Sequence, residues 1–182
     1  IMYLIYGIQK SGLSIVNYFE NKKIKFKIWD DNPIVRKAIK KNYNKEYFFN
    51  IKKDNLNDFE KIFVSPGISL KQKKFQKKNI SKKINRDLNL YVSNLTNQKI
   101  VAITGTNGKS TTTKLIGDML KKSKIETFVG GNIGESLCNV LLLKKKFKVH
   151  VIELSSFQLE TVKSLDSKIS VITNLTGDHL DR

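Results

Sequence analysis

The sequence predicts an α/β fold built on two successive parallel sheets. Three observations carry this. Apolar runs of strand length alternate with segments of helical spacing along the chain. Each run ends where glycine or polar residues gather, and the pattern restarts once, near Lys99. Strands alternating with helices need crossovers, which cover a parallel sheet on both faces.

The first unit opens with "IMYLIYG", a buried-strand run ending in Gly7. "IQKSGLSIVNYFENK" follows, with Leu13, Val16 and Phe19 at helical spacing. "IKFKIWDD" reads as a strand ending in acids, and "EYFF" and "KIFVSPG" as two more. "KQKKFQKKNISKK" reads as a solvated, lysine-rich helix or loop. "LYVSNLTNQK", from Leu90 to Lys99, has linker character. In the second unit "KIVAITG", "ETFVGG", "KVHVIEL" and "ISVITNL" are the strands, with a helix expected over 134–143. Ligands of open parallel sheets bind beyond the carboxyl ends of the strands, so those polar ends are where function is sought.

Composition narrows the field. The net charge is +18, yet arginine occurs only at Arg36, Arg86 and Arg182, and the lysines are scattered among Asn and Ile. Base reading and bidentate phosphate contacts favour arginine, so no nucleic-acid partner is expected. No apolar run approaches membrane-span length. No signal peptide is recognisable, and the single cysteine, Cys138, fits a reducing compartment, so a cytoplasmic protein is expected. The chain starts on Ile1 inside an apparent strand and stops just after a polar cluster, which suggests a fragment.

The chemistry concentrates in four places. Gly105-Thr106-Asn107-Gly108-Lys109-Ser110, followed by Thr111, lies between a strand and a helix. There, backbone amides and a helix N-terminus present positive potential to phosphate. Lys109 can reach terminal phosphates and the Ser110 hydroxyl can ligate Mg²⁺. The generic phosphate-loop spacing wants glycine where Ile103 stands, so that pattern is not met. Next, "GGNIGES" offers two glycines for close backbone approach and the Asn132 amide. Glu153 ends an apolar strand, a costly place for a carboxylate unless a cation or donors meet it, and Mg²⁺ is the obvious cation beside a phosphate loop. Finally, in "NLTGDHLDR", His179 sits between Asp178 and Asp181 at the same sheet edge, where a metal or substrate role is plausible. His150, inside a strand, reads as structural, and Glu160 as an exposed helix acid.

In order and spacing, "AITGTNGKSTTT", "GGNIG", "ELSSFQLE" and "NLTGDHLDR" resemble the Mur ligases of peptidoglycan synthesis, the D-glutamate-adding branch above all. "YGIQKSGLS", "VSPGIS" and "RDLNLY" extend the resemblance over the N-terminal half. It implies a Rossmann-like parallel-sheet domain over 1–93 that binds the UDP substrate. Residues 94–182 would then be the start of a P-loop ATPase-type α/β domain, the family's central ATP-binding domain. The implied reaction is cytoplasmic, ATP-driven amide ligation by a monomer, adding D-glutamate to UDP-N-acetylmuramoyl-L-alanine through an acyl phosphate.

By the resemblance, Gly105 to Thr111 hold ATP, Ser110 and Glu153 hold one Mg²⁺, and His179 holds a second metal. Lys109 and His179 are the implied catalytic residues. Lys10, Ser11, Gly67, Asn132, Ser155 and Gln158 would contact the UDP-sugar. Gln9 departs from a usual glycine, Asn89 from a usual glutamate, and Asp31 and Asn32 from a hydroxyl and a basic residue at the uracil. The family's carbamylated lysine and third domain have no counterpart in these residues, so this chain alone is not expected to ligate. Two other readings stay open: another Mur-type or folylpolyglutamate-type ligase, and a non-catalytic nucleotide- or polyanion-binding module.

Overall fold

The computed structural model describes residues 1–50, 54–162 and 165–177. The first half contains β1 (Tyr3–Tyr6), α1 (Lys10–Asn21), β2 (Phe26–Trp29), α2 (Pro33–Ile39), β3 (Lys61–Val64), α3 (Lys73–Gln76), α4 (Lys78–Ser81), β4 (Ile84–Asn85) and α5 (Asp87–Val92). The second contains β5 (Lys99–Thr104), α6 (Lys109–Lys122), β6 (Thr127–Gly131), α7 (Leu137–Val140), β7 (Val149–Glu153), α8 (Ser156–Leu159) and β8 (Ile169–Ile172). They form two four-stranded parallel sheets, ordered β2-β1-β3-β4 and β6-β7-β5-β8. The fold class is therefore α/β, as the strand–helix alternation predicts.

Both sheets place their topological switch where the sequence puts its glycine turns. The chain leaves β1 for β2 on one side and later returns to β3 on the other, opening a crevice beyond Tyr6. In the second sheet β5 lies between β7 and β8, so the crevice opens beyond Thr104.

Helix α1 buries Ile15, Val16 and Phe19 against the first sheet, whereas Leu13 stays 38% exposed. The buried stripe runs through Gly12 instead. A Cβ there would stand 1.9 Å from the Gly7 carbonyl oxygen, and this close approach seats the helix on its own entry turn. On the opposite face Leu4, Tyr6, Ile62 and Val64 pack with Phe75 and Ile80. Those two residues anchor the lysine-rich segment, which forms two single helical turns rather than one solvated element.

Three expected elements differ from the sequence reading. "EYFF" is not a strand: Lys45–Tyr47 is a 3-10 turn, and only one bridge, Ile28 with Phe48, joins it to the sheet. The 134–143 helix shrinks to α7, because Gly134 takes a left-handed φ of 59° and Glu135 bridges back to Gly130. The linker begins later than Leu90, since α5 runs to Val92 and Tyr91 is fully buried.

Helices α5 and α7 serve both halves. Leu88, Tyr91 and Leu137 sit in the core under the second sheet, while Cys138 joins the core under α1. Within that core the Tyr91 hydroxyl hydrogen-bonds to His150 Nδ1, and His150 Nε2 is buried with no partner among the described residues. Burial pushes the imidazole down from 6.5 to about 4. An unfolded chain therefore takes up the proton first as pH falls. Stability against urea is expected to be insensitive to His150 above pH 6.5 and to drop between pH 6.5 and 4. Urea midpoints of the native chain and a His150→Phe variant, compared at pH 7 and 4.5, check this. The variant's midpoint is expected to fall less with acid.

Candidate functional site

The ends of β5, β6, β7 and β8 meet at one edge of the second sheet. Beyond β5, the chain turns through Gly105 at φ 131° and Gly108 at φ 81°, and α6 begins at Lys109. Gly105 has no alternative: a Cβ there would lie 2.2 Å from Thr173 Oγ1, and L side chains rarely adopt that φ. The loop is held from below by the segment after β8. Asn107 N–H donates to Asn174 Oδ1 at 2.9 Å, and Asn174 Nδ2 and Thr173 Oγ1 donate to the Asn107 carbonyl at 2.9 and 2.6 Å. Thr106 N–H donates to the Asn174 carbonyl, and Thr106 Oγ1 to that of Thr176. "NLTG" thus acts as a clasp on the phosphate loop, a role the sequence reading did not give it.

Lys109 folds back over this loop, its Nζ donating to the Thr106 carbonyl at 2.7 Å. This closes the loop into a ring around the place its amides face. Ser110, one residue on, donates its hydroxyl to Glu153 Oε2 at 2.7 Å.

Glu153 is the centre of the edge. It is 1% exposed, and its other carboxylate oxygen accepts from Asn132 Nδ2 at 2.9 Å. The Asn132 backbone N–H donates to the Glu153 carbonyl, also at 2.9 Å. Gly131 makes that approach feasible, since a Cβ on it would lie 2.4 Å from the same carbonyl oxygen. The structure therefore joins Ser110, Glu153 and Asn132 from three different strand ends.

These groups fit Mg²⁺. A buried carboxylate that meets two neutral donors retains its charge deficit, which a cation relieves. Mg²⁺–oxygen bonds of roughly 2.0–2.1 Å put neighbouring ligand oxygens about 2.9 Å apart. The Ser110–Glu153 oxygen separation of 2.7 Å is close to that spacing. Magnesium in nucleotide sites commonly takes one or two protein oxygens and completes its shell from phosphate and water. His179 lies outside the described residues, as do Asp178 and Asp181.

The remaining candidates collect where the two sheets meet. Lys10 and Ser11 open α1, and Gly67 lies exposed in the turn after β3. Ser155 caps α8: its Oγ accepts from Gln158 N–H at 3.3 Å, and its own N–H donates to Gln158 Oε1 at 3.1 Å. Ser155 is partly exposed but Gln158 is buried, and Gln158 Nε2 donates to the Asp87 carboxylate at 3.2 and 3.3 Å.

Arg86 and Asp87, which the sequence reading did not assign, organise this junction. Arg86 is 0% exposed and donates to the carbonyls of Val64, Ser65 and Ile68, so it grips the Gly67 turn. Its other terminal nitrogen donates to Glu160 Oε2 at 2.7 Å. Glu160 is exposed at the end of α8, as the sequence predicts, and is also an ion-pair partner across the junction. Asn89 and Thr161 add a reciprocal pair of bonds at 2.9 and 2.6 Å. The signal in the sequence was two adjacent opposite charges immediately before the apolar "LNLYV".

In the first sheet, Asp30 Oδ2 accepts from Ile8 N–H and Oδ1 from Asn32 N–H, both at 2.8 Å. Asn32 caps α2, and Asp31 is bonded to Tyr6, Trp29 and Lys74. The two residues at the expected uracil end are therefore engaged with the protein itself.

Comparison with known proteins agrees with this arrangement. Residues 2–86 match the Mur ligase MurD-like N-terminal domain, and residues 103–182 match the Mur ligase middle domain. The chain is 37% identical over 181 residues to a UDP-N-acetylmuramoylalanine--D-glutamate ligase of Wolbachia pipientis wMel, and 40% identical over 183 residues to one from Buchnera aphidicola subsp. Schizaphis graminum. A ligase of the same description from Rickettsia conorii is 38% identical over 182 residues. Each alignment covers 98% of this chain but only 35–40% of the relative's length. With both halves matched to successive domains of one family, the chain belongs to the Mur ligases.

Proposed function

We propose that this protein is an ATP-dependent ligase that adds D-glutamate to UDP-N-acetylmuramoyl-L-alanine through an acyl phosphate. Residues 1–93 would bind the UDP-sugar, and 94–182 would begin the ATP-binding domain. The reaction follows from the relatives' descriptions. The observation that carries it is the Ser110–Glu153–Asn132 set, which places a metal-competent carboxylate beside a phosphate loop.

Phosphoryl transfer requires positioning and charge neutralisation more than covalent help from the protein. In the loop from Gly105 to Thr111, the amides from Gly108 to Thr111 at the N-terminus of α6 take the ATP phosphates, Thr106 and Asn107 hold the loop's shape through Asn174, and Lys109 exchanges the Thr106 carbonyl for a phosphate oxygen. Ser110 and Glu153 hold Mg²⁺, which neutralises charge on the phosphates when bound. Lys109 then stabilises the γ-phosphoryl as the alanyl carboxylate attacks it, the bond to the β-phosphate oxygen breaks, ADP leaves and the acyl phosphate forms. Lys10, Ser11 and the Gly67 turn take the uridine diphosphate, while Asn132, Ser155 and Gln158 align the muramoyl-alanine end. The family assigns His179 to a second metal near the acyl phosphate. The amine of D-glutamate displaces phosphate in the last step.

Two measurements test this. In titration calorimetry on the 182-residue chain, Lys109→Ala is expected to weaken ATP about tenfold or more. Glu153→Gln is expected to remove most of the gain in ATP affinity that Mg²⁺ gives. Unchanged ATP affinity in both variants would remove the phosphate loop from the proposal.

For the reaction itself, the full-length gene product is expected to release phosphate from ATP only when UDP-N-acetylmuramoyl-L-alanine and D-glutamate are both present. Release driven instead by a folate or a longer UDP-muramoyl peptide would point to another ligase of the same chemistry. Salt-sensitive polyanion binding without UDP-sugar binding would overturn the enzyme reading.

A further inference from the structure

The UDP-sugar reading requires one ligand to touch residues from both sheets, and a buried carboxylate lies between them. Asp87 is 2% exposed at the first residue of α5. Its carboxylate accepts from Leu88 N–H at 2.9 Å and from Gln158 Nε2 at 3.2 and 3.3 Å, and the Ser11 side chain favours its ionised form. Ser11 belongs to the entry turn of α1, and Gln158 to α8. An ionised carboxylate only accepts hydrogen bonds, so it dictates which way each of these donors points.

The orientation propagates. With Nε2 turned toward Asp87, Gln158 Oε1 faces Ser155, where it accepts from the backbone N–H at 3.1 Å and from Oγ at 3.3 Å. Gln158 is buried, whereas Ser11 and Ser155 are both partly exposed. One carboxylate thus orients Ser155 through the Gln158 amide and interacts with the Ser11 side chain on the other half. Arg86, next along the chain, grips the Gly67 turn and Glu160 in the same way. Burial pushes the Asp87 carboxyl up, while Gln158, Ser11 and Arg86 pull it back toward the ionised form.

We infer that Asp87 is a positioning residue for the sugar nucleotide, setting Ser11 and Ser155 at the spacing at which one UDP-sugar spans both sheets. This rests on the UDP-sugar reading above. It adds a residue that touches neither nucleotide and acts through the groups that do.

Asp87→Asn tests it, since it keeps the side-chain shape but replaces one acceptor with a donor. Calorimetry on the 182-residue chain would compare UDP-N-acetylmuramoyl-L-alanine, UDP and ATP. Losing an oriented, charge-assisted bond is expected to weaken the UDP-sugar about tenfold or more. UDP is expected to weaken less, because it lacks the part that reaches Ser155, and ATP is expected to be unchanged. Thr161→Val is the control: it removes another bond between the same segments, to Asn89, without touching Ser11 or Gln158. It is expected to leave the UDP-sugar to UDP ratio intact. Equal ratios in Asp87→Asn and the native chain, or an equal loss in Thr161→Val, would overturn the inference.

If Asp87→Asn fails to fold, the native chain supplies the second measurement. Saturating UDP alone is expected to shift the NMR signals of the Gln158 side-chain amide. No shift at saturation would overturn the coupling. A native chain that binds neither UDP nor the UDP-sugar would sink the substrate reading and this inference together, a result distinct from native binding that Asp87→Asn leaves unchanged.

Discussion

Everything at the junction of the two sheets hangs on a buried pair of charges adjacent in the chain, Arg86 and Asp87. Taking a guanidinium and a carboxylate out of water costs several kcal/mol each unless geometry and hydrogen bonds replace what is lost. Here Arg86 is surrounded by three carbonyls and one carboxylate, and Asp87 by an amide, a hydroxyl and a backbone N–H. Their partners come from opposite sides: the β3 turn and α1 in the first half, α8 and Glu160 in the second. An apolar contact of equal area would tolerate sliding. Directional bonds to buried charges do not, so they fix where one sheet's crevice lies relative to the other's.

That rigidity matters because each crevice alone is ordinary. The first sheet offers a glycine turn at a switch point, and the second a phosphate loop at another. The proposed amide ligation needs a carboxylate and a γ-phosphate held in line, so under that proposal the distance between the two sites is part of the chemistry. Tyr91 and Leu137 extend the same junction into the apolar core, and Cys138 packs under α1. Helices α5 and α7 therefore belong to the cores of both halves.

How much of this was legible in the sequence depended on how local the information was. The Gly105–Ser110 loop, Glu153 and the strand ends could be read because each is a short contiguous pattern with its own backbone logic. "EYFF" misled because aromatic residues favour strands, yet after the 3-10 turn at Lys45–Tyr47 only Phe48 forms a bridge. The early start assigned to the 134–143 helix ignored Gly134 and the return of Glu135 to Gly130. Arg86, Asp87 and Glu160 could not be assigned from spacing at all. Apart from the Leu88 N–H, their partners lie 18 to 76 residues away, and a charged dipeptide reads as surface until the fold encloses it.

The same contrast separates the two carboxylates that organise the molecule. Asp87 is saturated by donors from the protein, with an arginine beside it, and so has the character of a structural anchor. Among the described residues, Glu153 meets only Ser110 and Asn132 through its carboxylate, both neutral, at the sheet edge beside the phosphate loop. A buried carboxylate left with neutral donors is a standing demand for positive charge. In a protein whose net charge is +18, no lysine or arginine forms an ion pair with it among the described residues. Such pairing would have filled the place that, in the proposed function, a cation and a triphosphate share. Lys109, next to the Ser110 that donates to Glu153, instead bonds a loop carbonyl that a phosphate oxygen can replace. Positive charge is thereby kept beside Glu153 without neutralising it, the electrostatic condition for binding metal and nucleotide together.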